Sequence, residues 1–372
     1  TMVVAGVFLV ARLFPVFSIS CPAALEVVMW TGVLSALFAA IIACTQNDIK
    51  RVLAYSTMSQ IGYMMFALGV SGYGGEAGLG YTASMFHLFT HAFFKALLFL
   101  GAGAVIHMIH SNEMKDMGGL RRAMPVTHLT FLIACLAIAG IPPFAGFFSK
   151  EEILTAAWNA NKTVYAIALL TAGLTAFYMF RLYYNIFWSK APAAQEHNPG
   201  EHAHGEGSLS MKVPLLLLSL GALGAGFIPF GMYVSSDGQP LHLPFHPEAA
   251  ILPVSIALAG IALATLLYKS ENERPARIAA SLRGLYTSAY RKFYIDEVYF
   301  FVTKRILFHL VGRPAAWVDR HVVDGSMNGL AALVAWKSNL IKSIQSGKVQ
   351  DYALWFFTGI FGLTLLAIYL AN

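Results

Sequence analysis

His87, His91 and Lys95 follow one another at steps of four inside ASMFHLFTHAFFKALLFLGAGAVI, residues 83–106, a stretch otherwise dominated by apolar side chains. Four residues advance a helix by slightly more than one turn. The three groups therefore form a ladder on one face, drifting roughly 40° and rising about 6 Å per step. A charged group inside hydrocarbon costs roughly 2.5 kcal/mol or more, so such a ladder must face protein or water. Imidazoles exchange protons near neutral pH, and a desolvated lysine is able to lose and regain one there. The chemistry that these types can do at this spacing is proton relay. The plainer reading is that both histidines only hydrogen-bond neighbouring helices and that Lys95 snorkels. Against snorkelling, Lys95 is followed by about a dozen mostly apolar residues and preceded by several more.

A second chemical cluster sits at a break. LAIAGIPPFAGFFSKEEIL, residues 136–154, places Pro142 and Pro143 between Gly140 and Gly146, then Lys150, Glu151 and Glu152. Proline removes a backbone donor and clashes with the preceding turn, so the helix must be interrupted here. Residues 126–158 are too short for two spans joined by a turn, and they fit one span with an unwound middle. Broken backbone at membrane depth is tolerated only inside protein or along a hydrated cavity, where half-helix ends offer free carbonyls and amides for ion sites. Lys150 then stands about one turn past the break with Glu151 beside it. The alternative is that Lys150, Glu151 and Glu152 cap the helix at the membrane surface, and an interfacial place for Glu152 is open under the functional reading too.

A third polar set is QNDIKRVLAYSTMSQIGYM, residues 46–64. Ser56, Ser59, Gln60 and Tyr63 continue at helical spacing from Asp48, Lys50 and Arg51. The stripe suits a hydrated path or ordinary interhelical hydrogen bonding equally well. For Asp48, Lys50 and Arg51 the expected role is anchoring at the helix start.

The elements that must position these groups follow from composition. The chain has 372 residues, 57% of them hydrophobic and only 12% charged, which describes a membrane protein and not a soluble domain. Spans of roughly 20 apolar residues are expected near 25–44, 52–70, 83–106, 126–158 (interrupted), 163–187, 213–234, 249–268 and 350–370. The opening run, TMVVAGVFLVARLF, is read as the end of a helix that starts upstream. Basic residues gather on alternate loops, at Lys50, Arg51, Lys115, Arg121, Arg122, Lys190, Lys212 and from Lys269 onward, against Arg12 and Lys162 on the other side. That asymmetry predicts a cytoplasmic basic side and a last helix running outward. The net charge of +6 reflects this bias. No soluble cluster of basic and aromatic residues points to nucleic acid. Cys21, Cys44 and Cys135 are isolated, with no metal or iron–sulfur spacing, and no phosphate loop or dinucleotide fingerprint is present. His197, His202 and His204 lie in QEHNPGEHAHGEGS, residues 195–208, whose Gly and Pro content predicts a flexible loop unable to fix a metal geometry.

DIKRVLAYSTMSQIGYM, FHLFTHAFFKALLFLGAGAVIH, MGGLRRAMP and IPPFAGFFSKEEIL together resemble the antiporter-like membrane subunits of NADH:quinone oxidoreductase, respiratory complex I. The likeness covers most of residues 1–190 and rests on long strings matched in order. It implies a fold of two inverted five-helix repeats, each with a broken helix and a proton channel. Residues 1–190 would hold the second repeat, and the first would lie upstream of Thr1. By that resemblance Lys95 is the central lysine of the channel, His87 and His91 flank it in the water chain, and Lys150 is the terminal lysine toward the outside. Glu151 stands where an acidic residue often follows that lysine, and Asp48 matches a polar residue near the cytoplasmic mouth.

The implied fold class is all-α, a polytopic transmembrane bundle with a discontinuous helix. Residues 191–210 are expected to form a flexible cytoplasmic loop and 211–270 further spans. Residues 271–349 would form a connector and a long lateral amphipathic helix, before a final anchor at 350–372. Val298, Val302, Ile306 and Leu310 recur at step four beside Lys304, Arg305 and His309, an interfacial pattern. At 1.5 Å per residue, 295–345 would reach roughly 75 Å, with a bend or break expected at Gly312 to Pro314. The resemblance implies a bacterial cytoplasmic-membrane protein, neighbouring membrane subunits as partners, and NADH, FMN, iron–sulfur clusters and quinone in other subunits, with none on this chain. Two other functions stay open: the large subunit of a multi-subunit sodium/proton antiporter, and a structural clamp holding neighbours through the lateral helix.

Overall fold

The computed structural model describes residues 2–190, 206–242, 247–342 and 344–371. The loop histidines His197, His202 and His204 lie outside the described residues, as does most of the expected loop at 191–210. The chain divides into two compact units, Thr1–Phe293 and Tyr294–Asn372.

The first unit is a helical bundle. Two short helices, α1 (Val4–Arg12) and α2 (Phe14–Ser20), precede α3 (Pro22–Thr45) and α4 (Ile49–Gly69). Then come α5 (Leu79–Ile109), α6 (Pro125–Ala139), α7 (Ala145–Ala160) and α8 (Lys162–Phe187). Next are α9 (Leu209–Gly224) and α10 (Pro247–Tyr268), and the unit ends in the short helices α11 (Arg274–Ser281) and α12 (Arg283–Tyr290). Among the described residues six helical segments are long and apolar enough to cross a membrane, the last lying in the second unit. The span expected at 213–234 ends sooner, at Gly224, where Gly224, Gly226 and Pro229 give way to short 3-10 turns at Ala225–Phe227 and Phe230–Met232.

Small residues set the spacing of α3 and α4, because apolar burial does not drive helices together in lipid and close backbone contact must. A Cβ on Gly62 would stand 2.6 Å from the Gly32 carbonyl oxygen and 2.6 Å from the Ala36 nitrogen. Capping follows local rules. Asp48 accepts from the Lys50 and Arg51 amides at 2.7 and 3.0 Å, and Asn161 accepts from Thr163 and Val164 at 2.9 and 3.2 Å.

The interrupted span is two half-helices, α6 and α7. Gly140 ends α6 in the left-handed conformation, φ +78°. The freed carbonyls of its last turn are met one by one. Leu136 accepts from Ile141 N at 3.2 Å, and Ala137 accepts from Gly140 N at 3.0 Å. Gly146 seats the second half against the first: a Cβ there would lie 2.0 Å from the Ala137 oxygen.

In the second unit the chain is helical from Ile295 to Lys342. The break expected at Gly312 to Pro314 does not occur. Gly312 and Arg313 keep helical backbone angles, and Pro314 falls in the first turn after a π-helical stretch, Phe301–Gly312. There the wider hydrogen-bond spacing absorbs a residue that an unbroken α-helix would reject. Val298, Val302, Ile306 and Leu310 are all exposed within the unit, as are the polar residues between them. The final helix, Val349–Ala371, is apolar and long enough to span.

Candidate functional site: a buried polar line through the bundle

Five of the groups singled out in the sequence, His87, His91, Lys95, Lys150 and Glu151, are buried inside the first unit. α5 supplies the ladder, whose successive rings at His87 and His91 are 6.1 Å apart. His87 bridges two other helices. Its Nε2 lies 3.0 Å from Gln60 Oε1 on α4, and its Nδ1 lies 2.8 Å from Ser149 Oγ on α7. An amide oxygen can only accept, so in the neutral ring Nε2 carries the hydrogen and Nδ1 accepts from the serine hydroxyl. Ser149 also meets Thr90 Oγ1 at 2.9 Å.

The next residue on α7 is Lys150. Its Nζ donates to the Ile138 carbonyl at 2.6 Å, filling a third orphan acceptor of α6, and stands 5.3 Å from the centre of the Tyr63 ring. The C-terminal end of a helix carries partial negative charge, so the break holds a cation where the backbone favours one. Lys95 lies one turn beyond His91, with its Nζ 6.0 Å from the Phe99 ring. Gln60 Nε2, His91 Nε2 and Lys95 Nζ are buried with no hydrogen-bond partner among the described residues. Buried polar groups are ordinarily satisfied by protein or by ordered water, and these three atoms leave room for such a partner.

Asp48 stands apart from this group at the start of α4, where its carboxylate serves as the helix cap. Toward the opposite end of the bundle, a cavity of about 500 Å³ is lined by Glu151, Glu152, Thr155, Asn159, Glu76 and His242 among others. The stripe on α4 divides. Ser59 donates to Ala36 O, Tyr63 donates to Ala168 O, and Ser56 accepts from Tyr178 on α8, all interhelical bonds, whereas Gln60 belongs to the polar line.

Three contributors were not read from the sequence. Ser149 and Thr90 complete the contacts of His87. Arg181 on α8 is buried and donates from Nη1 to Gln46 O and from Nη2 to Asn47 Oδ1, both at 2.7 Å, fixing the turn between α3 and α4. Its signal was available, as a lone arginine within the apolar run 163–187. Among the described residues no group of His, Cys, Asp or Glu is arranged to hold a metal ion.

A membrane bundle with a broken helix, and lysines and histidines buried around the break, defines an antiporter-like membrane subunit. Residues 1–175 match the profile of the family described as NADH:quinone oxidoreductase/Mrp antiporter, TM, which supports an antiporter-like membrane subunit. The chain is 42% identical to NAD(P)H-quinone oxidoreductase chain 5 of Picosynechococcus sp., over 98% of this chain and 59% of the relative. It is 37% identical to NADH-quinone oxidoreductase subunit L of Neisseria meningitidis, over 97% of this chain and 58% of the relative. The chain thus spans about three fifths of the length of the curated relatives it matches. The fold is shared with a chain in the structure of the Mrp complex from Dietzia sp. (TM-score 0.58, 19% identity, 99% of this chain and 36% of that one). It is also shared with a chain of the membrane-bound sulfane sulfur reductase, an archaeal respiratory membrane complex (TM-score 0.53, 24% identity, 92% and 56%).

Proposed function

We propose that this chain is a proton-translocating membrane subunit of an NADH:quinone oxidoreductase, coupling quinone reduction in other subunits to proton movement along Lys95, His91, His87 and Lys150. The observation that carries this reading is the line itself: Gln60, His87 and Ser149 are hydrogen-bonded in series, Lys150 follows Ser149 in the chain and bonds Ile138 across the helix break, and His91 and Lys95 are buried on the same ladder. Lysines in a poorly solvated interior switch between charged and neutral forms when a neighbouring charge approaches or recedes, because Coulomb interactions there are weakly screened. Imidazoles and water carry the proton between them. Glu151, beside Lys150 and facing the cavity, receives it on the way out. Asp48 lies at the mouth, where it anchors α4.

The chain itself performs no redox chemistry under this reading. NADH, FMN, iron–sulfur clusters and quinone are held by partner subunits, and the lateral helix runs along neighbouring antiporter-like subunits. The excess of basic residues on alternate loops supports a cytoplasmic position for that side and a final helix running outward, in the cytoplasmic membrane of a bacterium under this reading.

The test is Lys95→Ala in the full-length protein in native membranes. NADH-driven quinone reduction and outward proton release are both expected to fall about tenfold or more while the complex stays assembled, a loss of roughly 1.4 kcal/mol or more of coupling. Unchanged pumping in an intact complex would overturn the reading. A sodium/proton antiporter is the second reading, because the matching family description covers both assemblies. It predicts that NADH drives nothing and that a sodium gradient moves protons in a Lys95-dependent way. A clamp alone predicts pumping intact in Lys95→Ala and assembly lost when the helix is broken near Arg313.

A further inference from the structure

Trp188 closes α8 where the apolar run ends, and two cations converge on its ring. The Arg121 guanidinium carbon stands 4.3 Å from the ring centre and Lys269 Nζ 5.2 Å from it. The indole is held in place by a hydrogen-bonded chain: Trp188 Nε1 donates to Tyr183 Oη at 3.1 Å, and the Tyr183 hydroxyl lies 2.7 Å from His128 Nε2. Tyr183 accepts from the indole, the imidazole tautomer sets which partner donates in its second contact, and its ring is stacked on that of His128. Loop, α8 and α10 meet here, since Arg121 lies just before α6, Trp188 just after α8 and Lys269 just after α10.

Among the described residues neither Arg121 nor Lys269 has a carboxylate partner. Lys212 at the start of α9 is paired with Glu206, and Glu206 is further committed to the Thr127 amide. The cation–π contacts offset part of the cost of holding two like charges within about a Debye length, ~10 Å, of each other. Among the described residues they leave both charges without a carboxylate. Arg122 and Lys190, both exposed, add to the same sign. Exposed Leu129 on α6 and Leu266 on α10 continue from the patch along the membrane-facing sides.

We propose that Arg121, Trp188 and Lys269 form a binding site for the phosphate of an anionic phospholipid headgroup, with the acyl chains lying along α6, α8 and α10. A dianionic or monoanionic phosphate bridges the guanidinium, which suits planar two-point recognition, and the ammonium, which acts as a point charge. The indole supplies an amphipathic floor at the depth where headgroup meets hydrocarbon. The location at the helix ends favours a lipid over a soluble anion, because only a lipid also covers the leucines below.

The experiment is photolabelling of the full protein in its native assembly, reconstituted with phosphatidylglycerol bearing a photoactivatable headgroup, followed by peptide mapping. Adducts are expected on the peptides that carry Arg121 or Trp188. A basic residue near a membrane surface contributes about fivefold to the binding of anionic lipid, so Arg121→Gln with Lys269→Gln is expected to cut labelling roughly 25-fold. Arg121→Lys should retain most of it. The phosphatidylcholine analogue should label at background, a comparison on the unaltered protein that holds even if the double variant fails to assemble. Equal labelling by both headgroups would overturn the proposal. So would labelling indifferent to the double substitution, displacement by free inorganic phosphate, which would mark a soluble-anion site, or cross-linking of the cations to a protein carboxylate.

Discussion

Lys150 reaches back across the interruption in its own span: its Nζ donates to the Ile138 carbonyl at 2.6 Å, so the cation of one half-helix caps the other. Under the proposed function one side chain thus joins a structural duty to a protonic one. When Lys150 gives up its proton, the amine can still donate, but the charge that the α6 terminus favours is gone. On that reading the break and the relay are coupled.

Lys150→Met removes both duties, and separate readouts distinguish them. It leaves the Ile138 carbonyl buried with no donor, which costs about 1–3 kcal/mol. The expected outcome is a complex that still assembles, with a melting temperature a few degrees lower and with proton release lost. Blue-native electrophoresis, thermal melting and acidification of the outside would be read together, and full pumping in Lys150→Met would remove it from the path.

The two glycines of the break should rank in a defined order. Gly146→Ala places a methyl 2.0 Å from the Ala137 oxygen, an overlap that only separation of the half-helices can relieve. Gly140→Ala meets nothing nearer than Lys150 Cδ at 3.4 Å and bears only the left-handed backbone penalty of roughly 1–2 kcal/mol. Gly146→Ala is expected to abolish accumulation of the folded protein, and Gly140→Ala to lower its melting temperature modestly. The amount of protein recovered from membranes decides the order.

Asp48 offers a clean separation of capping from proton transfer. Asparagine caps a helix about as well as aspartate but carries no titratable proton, whereas alanine forfeits about 1 kcal/mol of cap. Because the Asp48 carboxylate is engaged by the Lys50 and Arg51 amides, Asp48→Asn is expected to keep both stability and pumping, and Asp48→Ala to lose stability. Loss of pumping in Asp48→Asn would instead place this carboxylate in the relay.

The contrast between Asp48 and His87 also shows what the sequence makes legible. A cap depends on residues two and three positions away, the ladder on a fixed helical period, and the break on Pro142, Pro143 and their flanking glycines, so all three are local properties. Which side chain meets His87 depends on how α4 and α7 are rotated about their axes. Nothing in the order of residues distinguishes Gln60 from Ser59, yet one faces the histidine and the other bonds a backbone carbonyl of α3. Arg181 escaped for a similar reason, because its partners, Gln46 and Asn47, lie about 135 positions away in the chain. The lateral segment differed from expectation at Pro314 because a π-helical turn, which has no simple sequence signature, accommodated a residue expected to bend or break the helix.

Ser149 gives the sharpest test of the line as a line. Its hydroxyl is the only protein group bonded to His87 Nδ1 among the described residues, and it holds the tautomer in which Nε2 faces Gln60. Ser149→Ala removes that bond without touching a titratable group, and His87→Gln removes the ring. If the two residues act as one element, each single variant slows proton release several-fold, and the double variant is no slower than His87→Gln alone, a coupling that a double-mutant cycle measures directly. Ser149→Thr, which restores a hydroxyl at the same position, should recover much of the rate. Additive effects of the two substitutions would mean that Ser149 only packs against α5, and the proton would then have to pass His87 by another route.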